Sequence, residues 1–584
     1  MPHRRVVPAA VMLLAVAVAG CSGSGTTPAY PRAAPVAERF LAAWSAGRLD
    51  AAAALTDAPA GARAALGEFR AAVRVDPAID LGGTQVGGTT ATTAYRLSWP
   101  LGGPADPWTY ESSLTLTRDE TEHWRVHWDP RLVHPRWRTG DRLRSTRTLP
   151  ARAPLLDATG HPLFRSAVTV TIGVDPRRVT DLDALATALG RRLGRYGVTA
   201  ADVRSAVRRG APGEVAVVAT LPRTAYADLW PELRSLRGTV LRPGDGPVPV
   251  DPALVPTLLG QVGPAGAEVL AEAGPPYAAG DELGTSGLQR ALNGILTGLP
   301  GFRVSTVDST GAPAELLTAT DAVPGKPVRA TLDPATQRAA YRALTPVRGE
   351  AALVAVRPST GAILAVAQSG GTAHDQALVG RYPAGSAADL VTVSALLGEG
   401  VLDPTARVAC PRLGQVPLRT AFARSCTPAF TALAQRLSPD GVAHTAAAYG
   451  IGAAWPLPVP VFPGQVRPDG ITVSPLTMAL LGATVARGRV PAPMLVAGSP
   501  APAPVAPPDI PAGTLPVIRD LGRAVVTEGT ASALRPYAGL AGATGTAPGH
   551  SWFVGWRDDL AFAVLTTGGQ PAVPVADRFL AELR

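Results

Sequence analysis

With 584 residues the chain is long enough for three or four domains, each with its own hydrophobic core. Aliphatic residues are plentiful and the charged fraction is only 17%, so most of the chain is expected to be globular, with Gly 62 and Pro 59 supplying turns and some extended linkers. The net charge of +9 is spread along the chain, densest between Arg131 and Arg152. Its arginines are scattered and no recognition motif accompanies them, which sets nucleic acid aside as a partner and favours a solvated surface attracted to an anionic polymer or lipid headgroups. Few histidines, three cysteines and no clustered ligand spacing leave no metal site and no cofactor to expect.

Met1 to Gly20 opens with Arg4 and Arg5 and continues in an apolar run, Val6 to Gly20. The run is short for a membrane span and suits the core of a signal peptide. It ends in Val18-Ala19-Gly20-Cys21, which resembles a bacterial lipobox. That resemblance implies cleavage before Cys21, lipid attachment to its thiol and anchoring on the outer face of the cytoplasmic membrane. The other reading is an ordinary signal with a chance cysteine. Export places Cys410 and Cys426 in an oxidising compartment, where a pair at this spacing is a candidate disulfide contributing about 3 kcal/mol. Two buried free thiols are the alternative.

Ser22 to Pro35 reads as a flexible leader. Val36, Phe40, Leu41 and Trp44 then share one helical face that stops near Gly47, and an alanine-rich helix follows Leu49. Strands are expected at Thr92 to Trp99, Thr109 to Thr117 and Glu122 to Trp128. Helices first and a curved sheet afterwards predict a small cone-shaped α+β domain. Trp124 to Trp128 followed by His134-Pro135 resembles the nuclear-transport-factor-2-like (NTF2-like) domain at the front of some penicillin-binding proteins, where it acts as a spacer. No polar cluster marks a ligand pocket, so its tryptophans are read as core.

A second, β-rich domain follows. Arg152 to Gly160 holds a short strand and a turn, and Val168 to Val174 and Glu214 to Leu221 flank a helical stretch, Asp181 to Tyr196. Leu259 to Val262, Asp281 to Gln289 and Asn293 to Gly301 resemble the non-catalytic dimerisation domain of class B penicillin-binding proteins. The resemblance implies a pedestal or interaction surface, with Glu282 and Arg290 as structural charges.

From Pro327 to Arg584 the chain resembles the penicillin-binding transpeptidase domain, of serine β-lactamase-like α/β fold. Thr331 to Gln337 opens a helix, Ala351 to Val356 and Ala362 to Ala367 form a hairpin, and Ser386 in Arg381-Tyr382-Pro383-Ala384-Gly385-Ser386 heads a buried helix. Ser425-Cys426-Thr427 and Ala543-Thr544-Gly545-Thr546 supply two further corners of a cleft. The expected organisation is multidomain α+β: signal peptide 1–20, linker 21–35, NTF2-like domain 36–148, pedestal 149–325 and transpeptidase-like domain 326–584.

Each corner departs from the family pattern at one working residue. The family pairs its serine with a lysine three residues later, and here that position is Asp389. Protonated, Asp389 is no base; ionised, it repels a carboxylate. Losing the base costs roughly 10²–10⁴ in rate. Ser425 survives as a candidate relay, but Thr427 stands where the family has asparagine. Ala543 replaces the lysine of Lys-Thr-Gly, removing a charge-assisted contact worth about 1.5–3 kcal/mol. Thr544, Gly545 and Thr546 keep substrate-binding character, and the amides of Ser386 and Thr546 remain a candidate oxyanion hole. The chain holds one lysine, Lys326, and one asparagine, Asn293, and neither lies in a rescuing motif. Ser386 is also read as a helix N-cap, and His444 and His550 as surface or core residues.

The expected product of this pattern is an exported lipoprotein of cell-wall assembly with transpeptidase activity lost or much reduced, acting as a scaffold or as a component that binds a stem peptide or β-lactam without covalent capture. Cell-wall synthesis proteins are its expected partners, with the membrane reached through the lipid anchor. The alternative is a slow D,D-transpeptidase acylated at Ser386.

Overall fold

The computed structural model describes residues 32–101, 107–196, 198–209, 215–251, 253–254, 256–308, 310–369, 375–411 and 413–584. The signal-like segment and Cys21 lie outside them. No helix among the described residues is long and apolar enough to cross a membrane.

The chain divides into two units. In the first, the helix Ala33–Ser45 buries Val36, Phe40, Leu41 and Trp44 along the face that their spacing predicts. It begins inside the stretch read as a leader. The short helix Leu49–Ala53 follows, and then Pro59–Val73, which the sequence reading passed over. Four antiparallel strands succeed them in chain order: Ala78–Gly87, Thr90–Trp99, Trp108–Arg118 and Trp124–Val126. Trp44, Trp99, Trp137 and Phe69 are buried, with the Phe69 ring 4.9 Å from Trp99 and 5.8 Å from Trp137. Trp124 is buried too, as expected of core, whereas Trp128 and Trp108 are half-buried. Burial beside Trp108 and Tyr110 lowers the His134 imidazole to about 4, so it stays neutral. Residues Arg303–Thr318 also belong to this unit, and Arg136 anchors them through Glu315 and the Leu317 carbonyl.

The second unit opens with an antiparallel sheet in which Phe164–Val174 lies between Ala216–Pro222 and Thr239–Pro249. Leu185, Leu189 and Leu193 of the helix Leu182–Leu193 close its core against Ile172, Val174 and Leu221. The signature around Asn293 is a closed structural knot. Its amide exchanges two hydrogen bonds with the Gly284 backbone, at 2.7 and 2.9 Å, and accepts from Arg152 at 3.0 Å. Arg152 also donates to Gln289, and Arg290 bridges Glu268 and Glu272 at the surface. Asn293 and Arg290 are thus structural.

The rest of this unit is built on a five-stranded antiparallel sheet. Its spatial order is Ile363–Ser369, Ala351–Val356, Leu560–Thr567, His550–Arg557 and Ala541–Ala547, the last forming an edge. Every residue of Ala351–Val356 is buried, so both faces of the sheet are covered. The helices Pro334–Leu344 and Val573–Glu582 pack together against it, and the buried helix Pro475–Arg487 packs on its central strands. Asp333 caps the first of these helices by accepting from the Thr336 amide at 2.8 Å.

Candidate active site

The edge strand Ala541–Ala547 and the turn that carries Ser386 make the site. The approach to that turn is tied on two sides. Tyr382–Pro383 pairs with Thr472 and Val473, the Ala384 amide donates to Ile471 O at 2.8 Å, and Trp552 Nε1 donates to Pro383 O at 2.9 Å. Tyr382 packs edge-on to His550 and Trp552, and burial pushes its hydroxyl up to about 12. Gly385 then takes a φ of +55°, where a Cβ would stand 2.1 Å from Thr546 O. Gly545 is also close from the other side, since its Cβ would sit 2.6 Å from Ala387 Cβ. Only glycine at both positions lets the turn and the strand touch.

Ser386 lies in the 3₁₀ turn Gly385–Ala388 and is buried. It caps no helix, which corrects that reading: the following helix is Asp389–Gly398 and its cap position is Ala388. The turn tightens before the helix starts, and Ser386 Oγ instead accepts from the Thr546 amide at 3.0 Å. The nucleophile thereby occupies one of the two amides expected to hold an oxyanion. Catalysis would require it to leave.

Asp389 is buried at 6% exposure. Loss of solvent raises its carboxyl to about 7, and the only opposing cause is a hydrogen bond from Thr427 Oγ1 to Asp389 Oδ2 at 2.7 Å. The two altered positions of the first and second corners are therefore each other's partners. A hydroxyl donates where a carboxyl needs a donor, and no bond joins Asp389 to Ser386 among the described residues.

Thr427 is the first residue of the helix Thr427–Ala434, with Cys426 before it. Cys426 is bonded to Cys410 with Cα atoms 6.0 Å apart, which ties the hairpin Arg407–Cys410 and Gly414–Pro417 to the start of that helix. Replacing both cysteines by serine is expected to cost about 3 kcal/mol, read as a lower midpoint in denaturant; an unchanged midpoint would mean that the loop is held by packing alone. Ser425 is half-buried, has a φ of +55° and makes no side-chain hydrogen bond among the described residues. A left-handed, non-glycine backbone beside a cleft is stored strain.

At the third corner Ala543 is buried at 3% exposure. Thr544 Oγ1 shares a hydrogen bond with Thr530 Oγ1 at 2.6 Å, a partner that sequence reasoning did not single out. Thr546 is exposed and supplies the amide under Ser386. The remaining candidates stand apart from this chemistry. His444 is exposed, His550 uses Nδ1 on Pro548 O at 2.9 Å, and Lys326 is an exposed residue ahead of the strand Val328–Arg329.

The chain matches three family descriptions in succession. These are the NTF2-like N-terminal transpeptidase domain over residues 32–141, the Penicillin-binding Protein dimerisation domain over 147–330, and the Penicillin binding protein transpeptidase domain over 351–581. No curated protein matches it. The serine turn, the edge strand with its two close glycines and these three domains in this order mean that the chain belongs to the class B penicillin-binding proteins with an N-terminal NTF2-like domain.

Proposed function

We propose that this protein is a lipid-anchored, extracytoplasmic component of peptidoglycan assembly in which acyl transfer at Ser386 is lost or severely reduced, and that it works by binding or scaffolding. Its dimerisation and transpeptidase domains tie it to penicillin-binding proteins and cell-wall function. The observation that carries the loss of catalysis is the Asp389–Thr427 hydrogen bond. A serine nucleophile needs an acceptor for its proton. The group one helical turn away is a carboxyl with one oxygen taken by another hydroxyl and no bond to Ser386 among the described residues, and the serine oxygen is itself accepting from an amide. Ala543 presents no cation, and the single lysine of the chain lies elsewhere. Export and lipidation rest on Val18-Ala19-Gly20-Cys21 alone.

The test is labelling with a fluorescent penicillin beside an intact family member. The reading expects no stoichiometric band from this protein, and a band that disappears in Ser386→Ala would sink it. That second outcome belongs to a slow transpeptidase, for which one observation speaks: Asp389, raised to about 7, is partly ionised at neutral pH.

A further inference from the structure

The same cleft carries information about what it holds. Five polar residues belong to its three corners, joined by direct hydrogen bonds or by chain adjacency: Ser386 against Thr546, Asp389 against Thr427, and Ser425 two residues before Thr427. Asp389 Oδ2 is taken by Thr427, whereas its Oδ1 has no protein partner among the described residues and is not sealed from solvent. This is a carboxyl more than nine-tenths buried with one acceptor oxygen left open. Burial raises this carboxyl, and the Thr427 hydroxyl opposes the rise. Ser425 Oγ is likewise unpartnered among the described residues and held by a left-handed backbone. Asp389, Thr427 and Ser425 thus offer acceptors and hydroxyls, and none of the three is a cation.

We propose that the cleft takes a peptide end that brings N–H donors and no negative charge, a carboxamide or amine terminus, with Asp389 Oδ1 as its principal acceptor and Ser425 as a second. The proposal rests on the non-acylating reading given above. An N–H donor satisfies the open oxygen of Asp389 whether that carboxyl is ionised or neutral, and an ammonium does so best when it is ionised. A carboxylate terminus meets an ionised Asp389 as a buried like-charge pair, which is strongly disfavoured, so at neutral pH and above it binds only if Asp389 first takes up a proton.

Three probes decide it: N-acetyl-D-alanyl-D-alanine, its C-terminal carboxamide and its 2-aminoethylamide, titrated into the full exported chain by calorimetry or NMR. The carboxamide and the amine are expected to bind at least about tenfold more tightly than the carboxylate. Asp389→Asn, which keeps the size of the side chain, is expected to shrink that gap severalfold, and Ala543→Lys to improve carboxylate binding selectively. Equal affinities, a preference for the carboxylate, binding of none of the three, or a gap unmoved in Asp389→Asn would each overturn the inference. Intact mass and D-alanine release are read on the same samples. An adduct or released D-alanine would count against the loss of catalysis, whichever way the three probes rank, so the two ideas fail separately.

Discussion

Restoring Asp389→Lys, Thr427→Asn and Ala543→Lys together is expected to raise the rate at which a β-lactam acylates Ser386 by about 10²–10⁴-fold. The reason is geometric as much as chemical. The turn carrying Ser386 is held by Trp552, Ile471 and Thr546, none of which is among the altered positions. Gly385 and Gly545 still permit the close approach of turn and strand. What is missing is a base below the serine and a cation on the strand. Because Asp389 and Thr427 are bonded to each other, single reversions should return much less than the sum. Asp389→Lys leaves the new ammonium facing only the Thr427 hydroxyl, and Thr427→Asn leaves a carboxyl where the base belongs. Time-resolved intact-mass measurement on the triple variant and the three single ones checks this. A triple variant that keeps its melting temperature but gains no rate would show that the cleft has lost its shape as well as its charges.

The second large effect is on stability. Asp389 has its carboxyl raised from 3.8 to about 7 by burial. The folded state therefore holds a proton that the unfolded chain releases above about pH 4. Between about pH 4 and about pH 7 the unfolded state binds fewer protons, so stability falls as pH rises, and above that range the loss is complete. The loss has a ceiling of about 4 kcal/mol. Asp389→Asn removes the titration while its side-chain oxygen can still accept from Thr427. The variant should match the parent in acid and exceed it in melting temperature at neutral pH, by an amount that grows across that window. Parallel curves for the two proteins would mean that Asp389 is solvated and ionised in the fold.

Much of this was legible in the sequence for identifiable reasons. The helix Ala33–Ser45 was visible because one apolar face at helical spacing is all that it needs to bury. The framework of the transpeptidase-like unit was visible because glycines, prolines and aromatic residues stand at fixed offsets around Ser386 and Trp552. The strand Ala78–Gly87 was not, because it is exposed along nearly its whole length and shows no alternation. Nor does the sequence reveal that Arg303–Thr318 joins the first unit, since that depends on Arg136 reaching residues far along the chain. At the site, the altered residues could be named one by one, but not as a pair. Asp389 and Thr427 are 38 residues apart, and Ser386 and Thr546 are 160 apart. Only the fold brings them together. One signal was present in retrospect: a carboxyl in a buried position needs a donor, and a threonine hydroxyl is the donor that an altered second corner supplies.

Whether the group below Ser386 still takes its proton can be read directly. The most direct measurement is the intact mass of the parent protein after prolonged incubation with excess β-lactam, with an intact family member treated alongside. The relative is expected to shift by one acyl adduct while this protein keeps its original mass. Rapid, stoichiometric acylation at Ser386, located by peptide mapping, would contradict it.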